Sequence, residues 1–224
     1  MILVFDLDDT LYNEITFVES GFRAVANYLA SAYGLSKNTI FEELWSELQA
    51  NGRGKVFNKV LKDYDLLSKK SVLKCLSTYR THFPDIQLHK QGKSCLERFQ
   101  DHTKFLVTDG NKIVQYNKVK ALGIEPLFKK VFITHRYGLK ASKPSPICFR
   151  KISQMERVKP EEIVYIGDNP NKDFVGIKPL GFKTIRVLTG HFRNQAKPEA
   201  FEAHFSIDSL DELTENLINQ LKHG

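Results

Sequence analysis

Short, nearly uninterrupted apolar runs alternate with longer stretches of helical periodicity along most of this chain. The runs are MILVF (1–5), KFLVT (104–108), KVFIT (130–134), EIVYIG (162–167) and KTIRVL (183–188). They are rich in Val and Ile and do not alternate strictly, the pattern of parallel strands covered on both faces. Between them, NKIVQYNKVKALG (111–123) places Val114, Asn117, Lys118 and Leu122 at helical spacing and ends in Gly123 as a C-cap. SPICFRKISQME (145–156) carries Pro146 near its start, where a helix tolerates it. Strand–helix alternation of this kind predicts right-handed crossovers and a doubly wound, mostly parallel α/β sheet of Rossmann-like form.

One interval breaks the rhythm. Between the first run and KFLVT no buried strand is legible, and helices are predicted over 14–33, 37–50, about 53–64 and 69–82. In the first of these, Phe17, Val18, Phe22, Val25, Tyr28 and Leu29 recur on one face. The length of the interval favours an inserted helical domain, residues 13–87, within a sheet domain made of 1–12 and 88–224. Its hinges fall near Tyr12-Asn13 and Pro84-Asp85. The tail, SIDSLDELTENLINQLKHG, reads as a Ser-x-x-Glu cap leading into an amphipathic helix.

Bulk properties narrow the function classes only slightly. The chain has 224 residues and a formal net charge of +7, but its lysines and arginines are scattered, which fits a solvated basic surface better than a nucleic-acid stripe. Three cysteines, an odd number without close spacing, argue against a disulfide framework or a zinc site and for a reducing compartment. No apolar stretch approaches the roughly 20 residues that span a bilayer, and no leader-like segment precedes the first run. A cytoplasmic protein that does not engage membranes is expected.

The chemistry sits where the predicted strands end. In open parallel sheets, ligands bind beyond the carboxyl ends of the strands. The first run stops at Asp6, Asp8, Asp9 and Thr10; KFLV is followed by Thr108, Asp109, Gly110 and Asn111; the loop after KVFIT carries Lys140 and Lys143; EIVYI is followed by GDNPNKD, with Asp168, Asn169 and Asp173. Carboxylates crowded at a buried strand end repel one another; a polar turn closing the strand is one reading, and the placement suggests a neutralising cation or carboxylates that do chemistry. Asp6 and Asp8, two residues apart on extended backbone, project to the same side.

Taken in order, DLDDT (6–10), VTDG (107–110), KPSP (143–146) and GDNPNKD (167–173) resemble the four motifs of the haloacid dehalogenase-like (HAD) superfamily. The resemblance covers the whole sheet domain, and the helical interval matches that superfamily's cap between the first two motifs. It implies a nucleophile at Asp6, a general acid/base at Asp8 and a phosphate-binding hydroxyl at Thr108. It also implies a charge-neutralising Lys143, chosen over Lys140 only because KPSP matches. Backbone N–H groups at Asp109 and Gly110 would join Thr108 and Lys143 in binding phosphate. Mg2+ would be held by Asp6, the main-chain carbonyl of Asp8 and Asp168, with Thr10, Asn169 and Asp173 supporting them. Thr10 is expected to fix its loop by side-chain-to-backbone bonding, and Asp9 is given no catalytic role. Dehalogenases of the superfamily lack an acidic residue at the position of Asp8, because a halide leaves without a proton; Asp8 therefore favours phosphoryl transfer to water.

The expected activity is a magnesium-dependent phosphomonoester hydrolase working through an aspartyl-phosphate on a small soluble ester, a sugar phosphate or a nucleotide monophosphate. Glu14, Phe17, Arg23, Arg53, Lys55 and Asn58 are candidate contacts to the leaving group, while Trp45 reads as core. Three alternatives stay open. A phosphomutase of the same superfamily would be separated by its product. A nucleic-acid end phosphatase would show salt-sensitive binding. A non-catalytic binding module would not need Asp6, Asp8, Thr108, Lys143 and Asp168 together. Nucleic acid is not expected as a partner, and the oligomeric state is not legible.

Overall fold

A computed structural model describes residues 1–223, the side chains of the last two excepted. The chain opens on strand β1 (Ile2–Phe5), followed by four helices: α1 (Glu14–Tyr33), α2 (Lys37–Asn51), α3 (Val56–Asp63) and α4 (Lys69–Thr81). Helix α5 (Lys90–Arg98) leads into β2 (Lys104–Thr108), α6 (Lys112–Ala121), β3 (Lys130–Ile133), α7 (Ile147–Glu156), β4 (Ile163–Gly167), β5 (Lys183–Val187), β6 (Phe205–Ile207) and α8 (Glu215–His223).

All six strands are parallel, in the order β3-β2-β1-β4-β5-β6. The chain leaves β1 toward β2 and β3, then returns to β1's other side with β4 and continues outward. Such a reversal opens a crevice at the carboxyl ends of the central strands. Every residue of β1, β2 and β4 is buried, which is why their apolar runs are continuous. Under the sheet, Val4, Phe105, Phe149, Tyr165 and Phe174 belong to one apolar cluster, with Phe149 set edge-on to Tyr165 at 4.8 Å between ring centres. Lys104, at the buried start of β2, is no exception to burial rules: its ammonium donates to the carbonyls of Phe99, Gln100 and His102, which close α5 and the turn after it.

The chain divides into two compact units, Met1–Glu14 with Gln87 onward, and Ile15–Ile86. The second unit has its own apolar cluster, including Val18, Phe22, Ile40, Leu44 and Val60. Within it the rings of Phe22, Phe57 and Tyr79 meet at 5.8 to 6.0 Å. Ser36 caps α2, and Ser68 with Ser71 forms a capping box on α4. Trp45 packs on Phe41 and Phe22 at 6.0 and 6.5 Å, half-buried in this cluster.

Several sequence expectations need correction. Helix α7 starts at Ile147 with Pro146 as its N-cap, and α6 has Leu122 as its C-cap, with Gly123 one residue beyond in the left-handed region at φ +65°. Ser209 does not cap the terminal helix: its hydroxyl accepts from Asp211 N–H and opens a short 3-10 turn, while Thr214 accepts from Leu217 N–H at the start of α8. The segment before that turn is strand β6. Among the described residues, no helix is long and apolar enough to cross a membrane.

Candidate active site

Strand β1 is prolonged by Asp6, whose N–H donates to the Ile166 carbonyl of β4 at 2.8 Å. The chain then turns. The N–H groups of Thr10 and Leu11 both reach back to the Leu7 carbonyl. Asp9 takes a left-handed φ of +54°, and its carboxylate accepts from Glu14 N–H at 2.9 Å, at the first residue of α1. The Thr189 hydroxyl donates to the Asp9 carbonyl, and Gly190 lies so close that a Cβ there would fall 2.3 Å from Asp9 Cγ. Asp9 is thus a turn residue. Thr10 departs from expectation: its side chain is fully buried and its hydroxyl has no hydrogen-bond partner among the described residues. The turn is anchored through its main chain instead. The Thr10 carbonyl accepts from His89 Nε2 at 2.9 Å, and His89 Nδ1 accepts from Gly92 N–H at 2.7 Å. A carbonyl can only accept and an amide N–H can only donate, so this ring carries its proton on Nε2.

Four strand ends bring the remaining groups together. Lys143 Nζ lies 2.8 Å from Asp6 Oδ1, 2.8 Å from Asp173 Oδ1 and 2.7 Å from the Tyr165 hydroxyl, three acceptors for its three N–H bonds. Lys140 is exposed, so the ammonium at Asp6 belongs to Lys143. Asp109 does not point its side chain at this centre. Its carboxylate accepts from the Thr134 hydroxyl at 2.6 Å and from Lys143 N–H at 3.1 Å, tying the second strand end to the third. Thr108 is fully buried, and its Oγ1 lies 2.7 Å from Gln115 Nε2. Asp173 also accepts from Asn169 N–H at 2.9 Å, while the Asn169 side chain accepts from Asn171. Gly167 is needed where β4 ends: a Cβ there would fall 2.6 Å from Asp173 Oδ2.

Asp6, Asp168 and Asp173 each offer a carboxylate oxygen within 4.8 Å of the others, and all three residues are buried. One ammonium, Lys143, stands against three carboxylates, leaving a formal charge of −2. Asp168, 3% exposed, has no hydrogen bond or ion pair among the described residues. Burial pushes the Asp6 carboxyl up, to about 6, with Asp173 adding to the rise and Lys143 opposing it. Burial, then Asp173 and Asp6, hold the Asp168 carboxyl well above its ordinary value. A buried, under-neutralised set of hard oxygen donors fits a divalent cation such as Mg2+. Asp173, expected only to support the metal ligands, is a full member of this trio. Asp8's carboxylate is outside it, and the contribution expected of Asp8 was its main-chain carbonyl.

Asp8 has its own surroundings. Its Oδ1 lies 2.6 Å from both the Tyr12 hydroxyl and Lys118 Nζ, and its Oδ2 lies 2.7 Å from Gln115 Nε2. Burial raises its carboxyl, but the charge and hydrogen bond of Lys118 outweigh this and hold it below the usual range. Gln115 and Lys118, one turn apart on α6, are buried polar residues that pattern reading passes over. The available signal is their placement beside buried Val119, on the side where a helix should be apolar. Of the expected leaving-group contacts, Phe17 is buried beside Tyr79 and His82, and Arg23 pairs with Glu19 and lies over Phe41.

The sequence profile of the haloacid dehalogenase-like hydrolase family matches residues 3–187. A glyceraldehyde 3-phosphate phosphatase of Methanocaldococcus jannaschii is 30% identical over 250 residues, covering 98% of this chain and 97% of the relative. That of Pyrococcus furiosus is 28% identical over 223 residues, covering 96% and 92%. Among solved structures, a HAD phosphatase from Thermococcus onnurineus superposes with a TM-score of 0.60 at 26% identity, over 96% of this chain and 97% of that one. The chain belongs to the haloacid dehalogenase-like hydrolase family and is a phosphatase of that family.

Proposed function

We propose that the protein is a magnesium-dependent phosphomonoester hydrolase that works through an aspartyl-phosphate at Asp6 on a small phosphate ester, with a triose phosphate such as glyceraldehyde 3-phosphate the first candidate. The observation that carries the reading is the pairing of Asp6, held against Lys143 at 2.8 Å, with a second carboxylate, Asp8, two residues further on. The substrate class is taken from the relatives' names. The inserted helical unit is assigned the choice among leaving groups.

In this mechanism an Asp6 oxygen attacks phosphorus and the ester P–O bond breaks. Asp8, ionised before the ester arrives, takes up the proton that a monoanionic phosphate ester carries and passes it to the departing oxygen, releasing the alcohol. Water then attacks phosphorus, its proton passing to Asp8, and the bond from phosphorus to Asp6 breaks to free inorganic phosphate. Lys143 and the Thr108 hydroxyl stabilise charge on the phosphoryl oxygens, with backbone N–H groups at Asp109 and Gly110. Gln115 donates to Thr108 Oγ1, so the hydroxyl's own proton stays available for phosphate. Asp6, Asp168 and the Asp8 carbonyl, with Asp173, would hold Mg2+. When bound, the ion supplies the positive charge that lets an anionic nucleophile and an anionic phosphate meet.

Phosphate release from glyceraldehyde 3-phosphate, nucleoside monophosphates and p-nitrophenyl phosphate, with Mg2+ and with chelator, tests the reading. Metal-dependent release supports it. Transfer of the phosphoryl group to a second sugar position, without free phosphate, would establish a mutase instead. The pH dependence of cation binding is a second check. Asp6 must lose its proton to hold a cation, so Mg2+ affinity is expected to weaken as pH falls through about 6. One proton displaced per ion predicts a dissociation constant about tenfold larger at pH 5 than at pH 7, with the rise at Asp168 adding to it. Calorimetric titration reads this directly, and a flat profile rules it out.

A further inference from the structure

We propose that Gln115 is a positioning residue that holds the acid/base carboxylate of Asp8 and the phosphate-binding hydroxyl of Thr108 in one fixed geometry. The inference rests on the hydrolase reading above. Gln115 Nε2 lies 2.7 Å from Asp8 Oδ2, 2.7 Å from Thr108 Oγ1 and 2.9 Å from the Asp109 carbonyl. A primary amide has two N–H bonds, so one group sits at the meeting point of three acceptors drawn from two strand ends. It is 2% exposed and lies on α6, whose start is fixed by Asn111 accepting from the N–H groups of Ile113 and Val114.

The two oxygens of Asp8 are not equivalent. Oδ1 takes Tyr12 and Lys118 at 2.6 Å each, which leaves Oδ2 as the oxygen that exchanges a proton with substrate. That is the oxygen Gln115 touches. Thr108 faces the phosphoryl oxygens, and Asp8 faces the ester oxygen. The amide therefore sets the distance between the group that binds what stays and the group that protonates what leaves. A neutral donor suits this place, since a second fixed positive charge beside Asp8 would bind the carboxylate without releasing it to chemistry. An asparagine would be one methylene too short to reach all three acceptors. Misplacement of a reacting group by about 1 Å costs on the order of 100-fold in rate.

The test compares an alkyl phosphate, whose leaving oxygen needs a proton, with 2,4-dinitrophenyl phosphate, whose leaving group does not. The ratio kcat/KM isolates the steps up to formation of the phospho-enzyme. Gln115→Met, similar in length but without hydrogen bonds, is expected to lower kcat/KM on the order of 100-fold for the alkyl ester and less than about tenfold for the dinitrophenyl ester. Gln115→Asn, which keeps the amide but is one methylene too short for all three acceptors, is expected to shift the ratio the same way by a smaller factor and gives the readout should Gln115→Met fail to fold. In an Asp8→Asn background, Gln115→Met is expected to leave the alkyl-to-aryl ratio unchanged. Equal losses on both esters, or a further shift of the ratio in that background, would overturn the proposal while leaving the hydrolase reading intact. A wild type inactive on both esters would overturn the hydrolase reading itself.

Discussion

Asp6→Asn is expected to abolish phosphate release, by at least about 10⁴-fold, while leaving the cation-free protein more stable than the native chain at pH 8. The first half follows from removing the proposed nucleophile. The second follows from the burial of Asp6 among like charges, which raises its carboxyl from 3.8 to about 6. Each unit of such a shift is worth about 1.4 kcal/mol, so ionised Asp6 costs the folded state on the order of 3 kcal/mol. The sign is fixed by the direction of the shift. A carboxyl raised on folding is a penalty above about pH 6, and the penalty fades as pH falls toward 4. Asparagine keeps the shape and drops the charge, and Lys143 keeps Asp173 at 2.8 Å. Thermal unfolding in chelator should therefore show a gain of several degrees at pH 8 that closes by pH 4. Mg2+ should raise the wild type more than the variant. A variant less stable than wild type at pH 8 would show that Asp6 is held by pairing more than it is strained by burial.

Lys143→Met is expected to move stability the other way. Its ammonium is the counter-charge in contact with both Asp6 and Asp173, and the side chain is 1% exposed. Removing one partner of a buried ion pair costs roughly 3–5 kcal/mol, because the remaining charges are left uncompensated. Activity should fall on the order of 10³-fold or more, since in the proposed mechanism the same group stabilises the phosphoryl oxygens. Cation binding should tighten, because the formal charge of the carboxylate set goes from −2 to −3. Loss of turnover with gain of Mg2+ affinity, and recovery of much of the lost stability on adding Mg2+, form the expected pattern. Unchanged stability in chelator would mean that water neutralises the carboxylates as well as Lys143 does.

What the sequence disclosed follows from how far apart the interacting residues lie. The strands β1 to β5 were legible because burial on both faces leaves continuous apolar runs. Strand β6 was not, since Phe205 and Ser206 are exposed and only Ile207 is buried. Helix α5 was missed because KQGKSCLER is mostly polar, carries a glycine and is capped by His89, an uncommon capping residue. At the site, Asp6 with Asp8 and Asp168 with Asp173 could be read locally. The choice of Lys143 over Lys140 needed a motif match. Gln115 could not be read as a site residue, and Lys118 could be read only as part of a helical pattern, because a polar residue on a helix looks solvated until its partner is known. Here the partner is Asp8, more than 100 residues earlier in the chain. Thr10 was misassigned because a threonine in a tight turn usually bonds its own backbone, whereas here its main-chain carbonyl does the anchoring through His89.

The sheet order carries a consequence for biosynthesis. β1 lies between β2 and β4, which begin at Lys104 and Ile163. During translation its apolar run emerges long before either neighbour. At roughly 5–20 residues per second, the wait for β4 is on the order of ten seconds. Until residue 104 is made the nascent chain holds a strand with two unsatisfied edges, and until residue 143 is made its carboxylates lack one or both of the counter-ions Lys118 and Lys143. The negative charges at 6, 8 and 9 then act as a solubilising flank for an aggregation-prone segment. The carboxylates that close this strand in the folded protein guard it while it is still on the ribosome.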